Sequence, residues 1–290
     1  MLTRIDHVMI CVPDLARAVD VFTRLGFTVH PGGVHAGRGT ENAIAFTGDE
    51  YLELLAIRDR DEYLRVTNGR GGLVAFLSRG PGFRYIAIQS DDLAADIAAM
   101  RARGIDVGDV TAGARRTPAG RELQWRSATL GPGHPLPIFF IEHVTPLDER
   151  RRQASGSHPN GVARLDRAYV VVEDVAASAA TYARVLGMPQ PAVQRGRVIK
   201  ADMAVFDLGP TGLTVAQPAE RGAASDALAR RGPGPFQVLY RTQSLDAAAR
   251  WMTEHNVPTP SRGIRNTGEE AMFVGPDVAC GTYLGFVGSP

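Results

Sequence analysis

Two glutamates stand in unusually apolar company. Glu53 lies within Tyr51-Leu-Glu-Leu-Leu-Ala56 and Glu142 closes Pro137-Ile-Phe-Phe-Ile-Glu142, both runs of strand length. In an extended strand each carboxylate shares a face with its alternate neighbours. Burying it uncompensated is costly, so it needs a cation, a partner or a proton. His7 opens a third apolar run, His7-Val-Met-Ile-Cys-Val-Pro-Asp14. One imidazole and two carboxylates brought together suit a divalent ion such as zinc, nickel, manganese, cobalt or iron. Taken singly, each has a plainer reading: His7 as a strand-end core histidine, the glutamates as solvent-facing strand residues. Further candidates are less specific. His35 sits in the glycine-rich run Gly32–Gly39 and reads as an active-site loop residue or an ordinary turn histidine. That run is no phosphate loop, because no Gly-Lys-Ser/Thr follows it. Gln124 and Arg126 alternate around Trp125, so one of the two sets lines any interior; Arg126 either binds a substrate carboxylate or forms a surface ion pair. His143 follows Glu142 directly, hence faces the opposite way and reads as structural. Cys11 and Cys280 read as buried packing residues rather than nucleophiles.

The elements that must position these residues repeat along the chain. Four segments run from an apolar strand into a helix cap, an Ala-rich amphipathic helix, a Gly or Asn stop and a second extended stretch. Their caps are Asp14, Asp92, Asp174 and Ser244, residues that accept from the first free helical N–H groups. Their stops are Gly26, Gly104, Gly187 and Asn256, which tolerate a left-handed backbone. The caps recur at roughly 70 to 80 residues, room for one strand, one helix and about three more strands. Turns such as Thr47-Gly-Asp-Glu50 and Gly209-Pro-Thr-Gly212 mark a hairpin at the end of each unit. The best boundary is the polar stretch between the second and third units. It divides the chain into 1–145, a linker at 146–161, and 162–290, and its run Asp148-Glu-Arg-Arg-Arg152 reads as solvated linker.

A βαβββ unit repeated four times, with His in the first strand and Glu in the last, resembles the vicinal oxygen chelate superfamily. His30-Pro-Gly-Gly-Val-His-Ala-Gly-Arg-Gly-Thr-Glu-Asn42, Tyr51-Leu-Glu-Leu-Leu-Ala56 and Pro137-Ile-Phe-Phe-Ile-Glu142 resemble its glyoxalase-like branch more narrowly. The resemblance implies an α+β fold of four βαβββ modules paired into two half-barrel domains, like glyoxalases and dihydroxybiphenyl dioxygenases. It places the superfamily's four metal positions on His7, Glu53, Tyr85 and Glu142 in the first pair. His7, Glu53 and Glu142 are then the metal ligands, Glu142 doubles as a proton carrier, and Tyr85 with His35 completes the catalytic set. Tyr85 stands where a second histidine belongs in the two-His, one-Glu iron set of ring-cleaving dioxygenases, which counts against ring cleavage. In the second pair the same positions fall on Arg167, Thr214, Gln237 and about Gly285, so that half is expected to hold no metal.

The chain has 290 residues, 44% hydrophobic and 22% charged, with a formal net charge of +1. That is a globular composition, and the balance of charge argues against nucleic acid as a partner. Two cysteines point to a reducing compartment; no apolar run approaches a membrane span, and the N-terminus lacks a signal-peptide layout. A bacterial, cytoplasmic protein acting as monomer or homodimer on a small molecule is expected. The leading expectation is a metal-dependent lyase, isomerase or epimerase that stabilises an enolate of a small oxygen-rich metabolite. The alternatives are a metal-free drug- or metabolite-binding protein of the resistance type and an Fe(II) extradiol-type dioxygenase.

Overall fold

The computed structural model describes residues 1–152 and 156–288; residues 153–155, inside the expected linker, and 289–290 lie outside the described residues. The first module comprises β1 (Leu2–Cys11), α1 (Leu15–Arg24), β2 (His30–His35), β3 (Thr40–Thr47) and β4 (Glu50–Ile57). Two short helices, α2 (Arg60–Val66) and α3 (Gly72–Leu77), lead to the second: β5 (Gly82–Ser90), α4 (Leu93–Ala102), β6 (Thr111–Arg116), β7 (Glu122–Thr129) and β8 (Ile138–His143). After α5 (Leu147–Arg151) the third module holds β9 (Val162–Val171), α6 (Val175–Leu186), β10 (Gln194–Gly196), β11 (Ala201–Leu208) and β12 (Thr211–Pro218). Then α7 (Ala223–Arg231) precedes β13 (Gly234–Thr242), α8 (Leu245–Glu254), β14 (Ser261–Ile264), β15 (Glu270–Val274) and β16 (Tyr283–Val287).

Local chemistry explains the shared layout. Asp14, Asp92, Asp174 and Ser244 accept from the backbone N–H of Arg17, Ala95, Ala177 and Ala247 at 2.9, 3.0, 2.9 and 3.2 Å. Each removes one orphan donor at a helix start. Gly26, Gly104, Gly187 and Asn256 all take positive φ beyond the helices, at 86°, 74°, 68° and 59°. The stretches directly after these stops are not strands; the second strand of each module begins a few residues later.

The first two modules close into a barrel of order β1-β4-β3-β2-β6-β7-β8-β5. The cupped half-barrel expected for this half is thus a complete ring. Its seam is a single pair, Val34 opposite Arg116. Gly33 permits it: its φ is +134°, and a side chain there would collide with the Arg116 carbonyl. The last two modules form an eight-stranded sheet of order β10-β11-β12-β9-β13-β16-β15-β14. Its end strands, three and four residues long, do not pair.

One hydrophobic core lies against both sheets, with Phe22, Phe27, Tyr240 and Phe286 among its fully buried members. Phe27 meets Tyr240 edge-on at 5.2 Å between ring centroids. The connecting segment is less solvated than its composition suggests. Arg150, His158 and Asn160 are all buried. His158 accepts from the Thr28 N–H at 3.0 Å and lies 2.7 Å from the Phe46 carbonyl. Asn160 donates to the Leu25 carbonyl and accepts from the Val162 N–H.

Candidate functional site

The first barrel encloses a cavity of about 600 Å³ whose wall includes His7, His35, Glu53 and Tyr85. His7 is buried in that wall. Its Nδ1 lies 2.7 Å from Asp6 Oδ1, and its Nε2 lies 3.5 Å from Glu53 Oε2, an ion-pair distance rather than a strong hydrogen bond. Adjacent strand residues normally face opposite ways. A bulge between Ile5 and His7 in the pairing of β1 with β5 breaks that alternation. Asp6 is thereby brought behind the His7 ring. The ring itself is stacked on Tyr51 at 4.4 Å, with Phe139 edge-on at 5.5 Å.

Asp6 is fully buried and also receives His143 Nε2, at 2.9 Å. Burial alone would raise its carboxyl, but His143 and His7 hold it well below the usual carboxylate range. It therefore stays ionised and accepts from His7 Nδ1, which fixes the ring with Nε2 turned toward Glu53 and the cavity. Burial pushes the His143 imidazole below its usual value; Asp6 opposes this, and Arg150, 3.0 Å away, adds to it. Glu53 is held by Asn42, whose Nδ2 donates at 2.6 Å, while the buried Asn42 Oδ1 has no partner among the described residues. Arg115, donating to the Gly32 carbonyl, brings a guanidinium into the same cavity. Burial lowers its pKa from 12.5, and it remains a cation at neutral pH. Burial lifts the Tyr51 phenol well above its ordinary value, so it remains a donor.

Of the residues singled out in the sequence, His7, Glu53, Tyr85 and His35 are brought together around this cavity, and Glu142 is not. His35 bonds Thr40 Oγ1 at 2.9 Å, and burial keeps its imidazole below the usual value. The Tyr85 hydroxyl receives Arg84 at 3.2 Å. Glu142 instead faces outward. Its Oε2 accepts the Leu93 N–H at the start of α4 at 3.0 Å, and Arg126 lies 3.4 Å from Oε1. His143, read as structural, faces inward and lines the cavity. The register explains the exchange. Met9 lies opposite Glu53, and its counterpart Ala87 lies opposite Phe139, so Phe139 holds the position expected for Glu142. A slip of three residues reverses the face of every side chain. Arg126 follows Glu142 outward, being paired with it across β7 and β8, while Trp125 turns inward.

This arrangement decides the fit of a divalent ion. Glu142 is committed to α4, Phe139 offers a ring edge in its place, and one Glu53 oxygen is taken by Asn42. His7 Nε2 and Glu53 Oε2 make half a coordination sphere. Among the described residues, no three His, Cys, Asp or Glu side chains are placed to hold one ion. The expected ligand set of His7, Glu53 and Glu142 is therefore not assembled, and these residues do not fit a tightly held metal.

Asp6, Asn42, Arg115 and Arg150 were not singled out in the sequence. Asp6 next to His7 was a visible pair, but strand alternation separates such neighbours unless a bulge intervenes. Arg115 lies in a polar segment with no apolar pattern, and nothing in the sequence marks it. Burial pushes the Cys11 thiol up to about 12 and the Cys280 thiol up to about 11, so neither supplies a thiolate.

Paired βαβββ modules in two eight-stranded sheets define the two-domain vicinal oxygen chelate architecture. A family model described as "Glyoxalase-like domain" matches residues 5–186, and one described as "Glyoxalase/Bleomycin resistance protein/Dioxygenase superfamily" matches residues 166–274. The chain belongs to the glyoxalase-like domain family. Comparison with curated proteins returns no match. A hypothetical protein from Staphylococcus aureus superposes with a TM-score of 0.68 at 13% identity, covering 99% of this chain and 100% of that one. A mutant 4-hydroxymandelate synthase from Streptomyces coelicolor gives 0.68 at 15% identity, covering 99% and 92%. At such identities the likeness is one of fold. No helix among the described residues is long and apolar enough to cross a membrane.

Proposed function

We propose that the first barrel binds a small oxygen-bearing organic substrate and moves a proton on it, as an isomerase, epimerase or lyase does, without a metal. The observation that carries this reading is the buried line Asp6–His7–Glu53 ending in a cavity that also holds a guanidinium. Asp6 sets the tautomer, so Nε2 of His7 is the base. The imidazolium formed by proton uptake lies between the carboxylates of Asp6 and Glu53, which stabilise it. The negative charge that develops on the substrate oxygen is met by Arg115 and the phenol of Tyr51 or Tyr85. Stacking on Tyr51 holds the imidazole plane, so little reorganisation accompanies the transfer. Ring cleavage at iron lacks support: Tyr85 replaces a histidine, and Glu142 points away.

The test is proton exchange. Enolisable 2-oxo and 2-hydroxy acids are incubated with the protein in deuterated water, and loss of the C–H signal is followed by NMR, with elemental analysis of the same sample. Exchange should persist after chelation and fall on the order of a hundredfold or more in His7→Gln. Activity lost with a removable equivalent of metal, and restored by its return, would overturn the metal-free mechanism. Tight binding in the barrel with no exchange would favour a sequestering protein instead.

A further inference from the structure

The second sheet carries its own cavity, of about 590 Å³, and its chemistry is different. The register makes the comparison residue by residue. His7 lies opposite Tyr51 in the first barrel, and Arg167 lies opposite Gly212 in the second sheet. Met9 faces Glu53 across β1 and β4, and Tyr169 faces Thr214 across β9 and β12. Where the first site has an imidazole under a tyrosine ring, the second has a guanidinium over a glycine. A methyl group on Gly212 would collide with that guanidinium, so the glycine makes the space the arginine occupies.

The charges around this cavity are of one sign. Arg167, Arg197, Lys200, Arg262 and Arg265 line it, and no Asp or Glu among the described residues does. Some are compensated from outside. Arg262 pairs with Asp246 at 2.6 Å and Arg265 with Glu269 at 3.1 Å. The one carboxylate that Arg167 meets among the described residues is Asp207, at 3.1 Å, whose own side chain is 78% exposed and well solvated. Arg197 and Lys200, in the turn between β10 and β11, have no carboxylate within ion-pair distance among the described residues. Lys200 is the chain's only lysine.

The floor is polar and under-satisfied. Gln237 is 4% exposed and lines the cavity, and its side-chain amide, with no hydrogen-bonding partner among the described residues, is open to that space. The fully buried Thr214 hydroxyl receives only a 3.5 Å contact from Arg167. An amide that faces a cavity with no protein partner is free to hydrogen-bond what enters it. The remaining wall is apolar, with Tyr169, Leu239, Phe273 and Tyr283.

We propose that the second cavity is a binding site for a small organic anion with an apolar body and a carboxylate or phosphate head. Arg167 and the Gln237 amide take the head, Arg197 and Lys200 draw it in and close over it, and the aromatic wall holds the body. This site is separate from the first barrel and does not depend on the chemistry proposed there.

The test is isothermal titration of the whole protein with benzoate, phenyl phosphate and the uncharged benzyl alcohol. Benzoate and phenyl phosphate represent the two head groups, and the tighter one identifies the source. The anions should bind at least about tenfold more tightly than the alcohol, and weaken with added salt. Arg197→Gln with Lys200→Gln changes two exposed, unpaired side chains and should cost about tenfold or more in that binding event, as should Gly212→Ala through displacement of Arg167. His7→Gln should leave it within about twofold, since two separate sites do not couple by contact. The proposal is overturned if no anion titrates, if the alcohol binds as tightly, if the Arg197/Lys200 double variant binds unchanged, or if His7→Gln abolishes the event.

Discussion

Replacing Asp6 by Asn preserves the shape at the back of the first site while removing its charge. In the native protein one fully buried carboxylate takes two imidazole contacts, at 2.7 Å from His7 and 2.9 Å from His143. Asparagine keeps one acceptor oxygen and turns the other into a donor. One imidazole N–H then faces an N–H unless its ring changes tautomer. Losing a hydrogen bond to a charged acceptor costs about 1.5–3 kcal/mol, and weakening the survivor to a neutral bond costs about 1 kcal/mol more. The expected loss is therefore about 3 kcal/mol, which at a denaturant slope of about 3 kcal/mol per molar is a fall of about 1 M in the urea midpoint. Nitrogen-15 spectra of the imidazoles report the second effect: His7 should leave the Nδ1–H form in the variant. An unchanged midpoint together with an unchanged His7 tautomer would refute the account of Asp6 as the group that orients the base.

Three further outcomes follow from the same geometry. Glu142→Gln should cost about 1 kcal/mol in stability, through the start of α4, and leave ligand binding in the first cavity intact; a loss of binding equal to that of His7→Gln would put Glu142 back in the site. Stability should fall on acidification below about 6.5, because burial holds His35, His143 and His158 below that ordinary value. The unfolded chain then takes up protons that the folded one refuses, at up to about 1.4 kcal/mol per pH unit for each histidine, so urea midpoints measured from pH 7.5 to 5 should decline rather than stay flat. Glu53→Gln should resemble His7→Gln in the exchange assay while retaining the bond to Asn42, and full activity in that variant would remove Glu53 from the mechanism.

The frame of the molecule was legible because its signals are local. Each cap and each stop acts within a few residues, and the helices Leu15–Arg24, Leu93–Ala102, Val175–Leu186 and Leu245–Glu254 begin where those signals place them. The second strand of each module was not legible: Pro31-Gly-Gly, Thr111-Ala-Gly-Ala-Arg-Arg116 and the very short β10 and β14 carry no apolar alternation. The site was half legible for the same physical reason. His7 and Glu53 are set by a register that the strand pattern reveals, whereas Glu142 follows only from the resemblance, which takes Pro137-Ile-Phe-Phe-Ile-Glu142 as the counterpart of Tyr51-Leu-Glu-Leu-Leu-Ala56. Two apolar strands of similar composition match equally well in several registers, and only the pairing of β5 with β8 shows that Phe139 is the counterpart of Glu53. Asp6 required a bulge, which depends on two strands at once and leaves no mark on one.

The wiring of the connecting segment bears on how the protein comes apart. His158 and Asn160 hold the end of α1 and the start of β9 together, Arg150 reaches back into the first cavity, and Phe27 is roofed by Tyr240 and Phe286 from the other half. Neither half keeps its inner surface dry once the other unfolds. Melting should therefore be a single cooperative event rather than two independent ones, and cleavage between the halves should release an aggregation-prone fragment instead of a working barrel. A chain built from repeated modules should in this way melt as one thermodynamic unit, and an anion bound at the second sheet should raise the unfolding temperature of the first barrel as well.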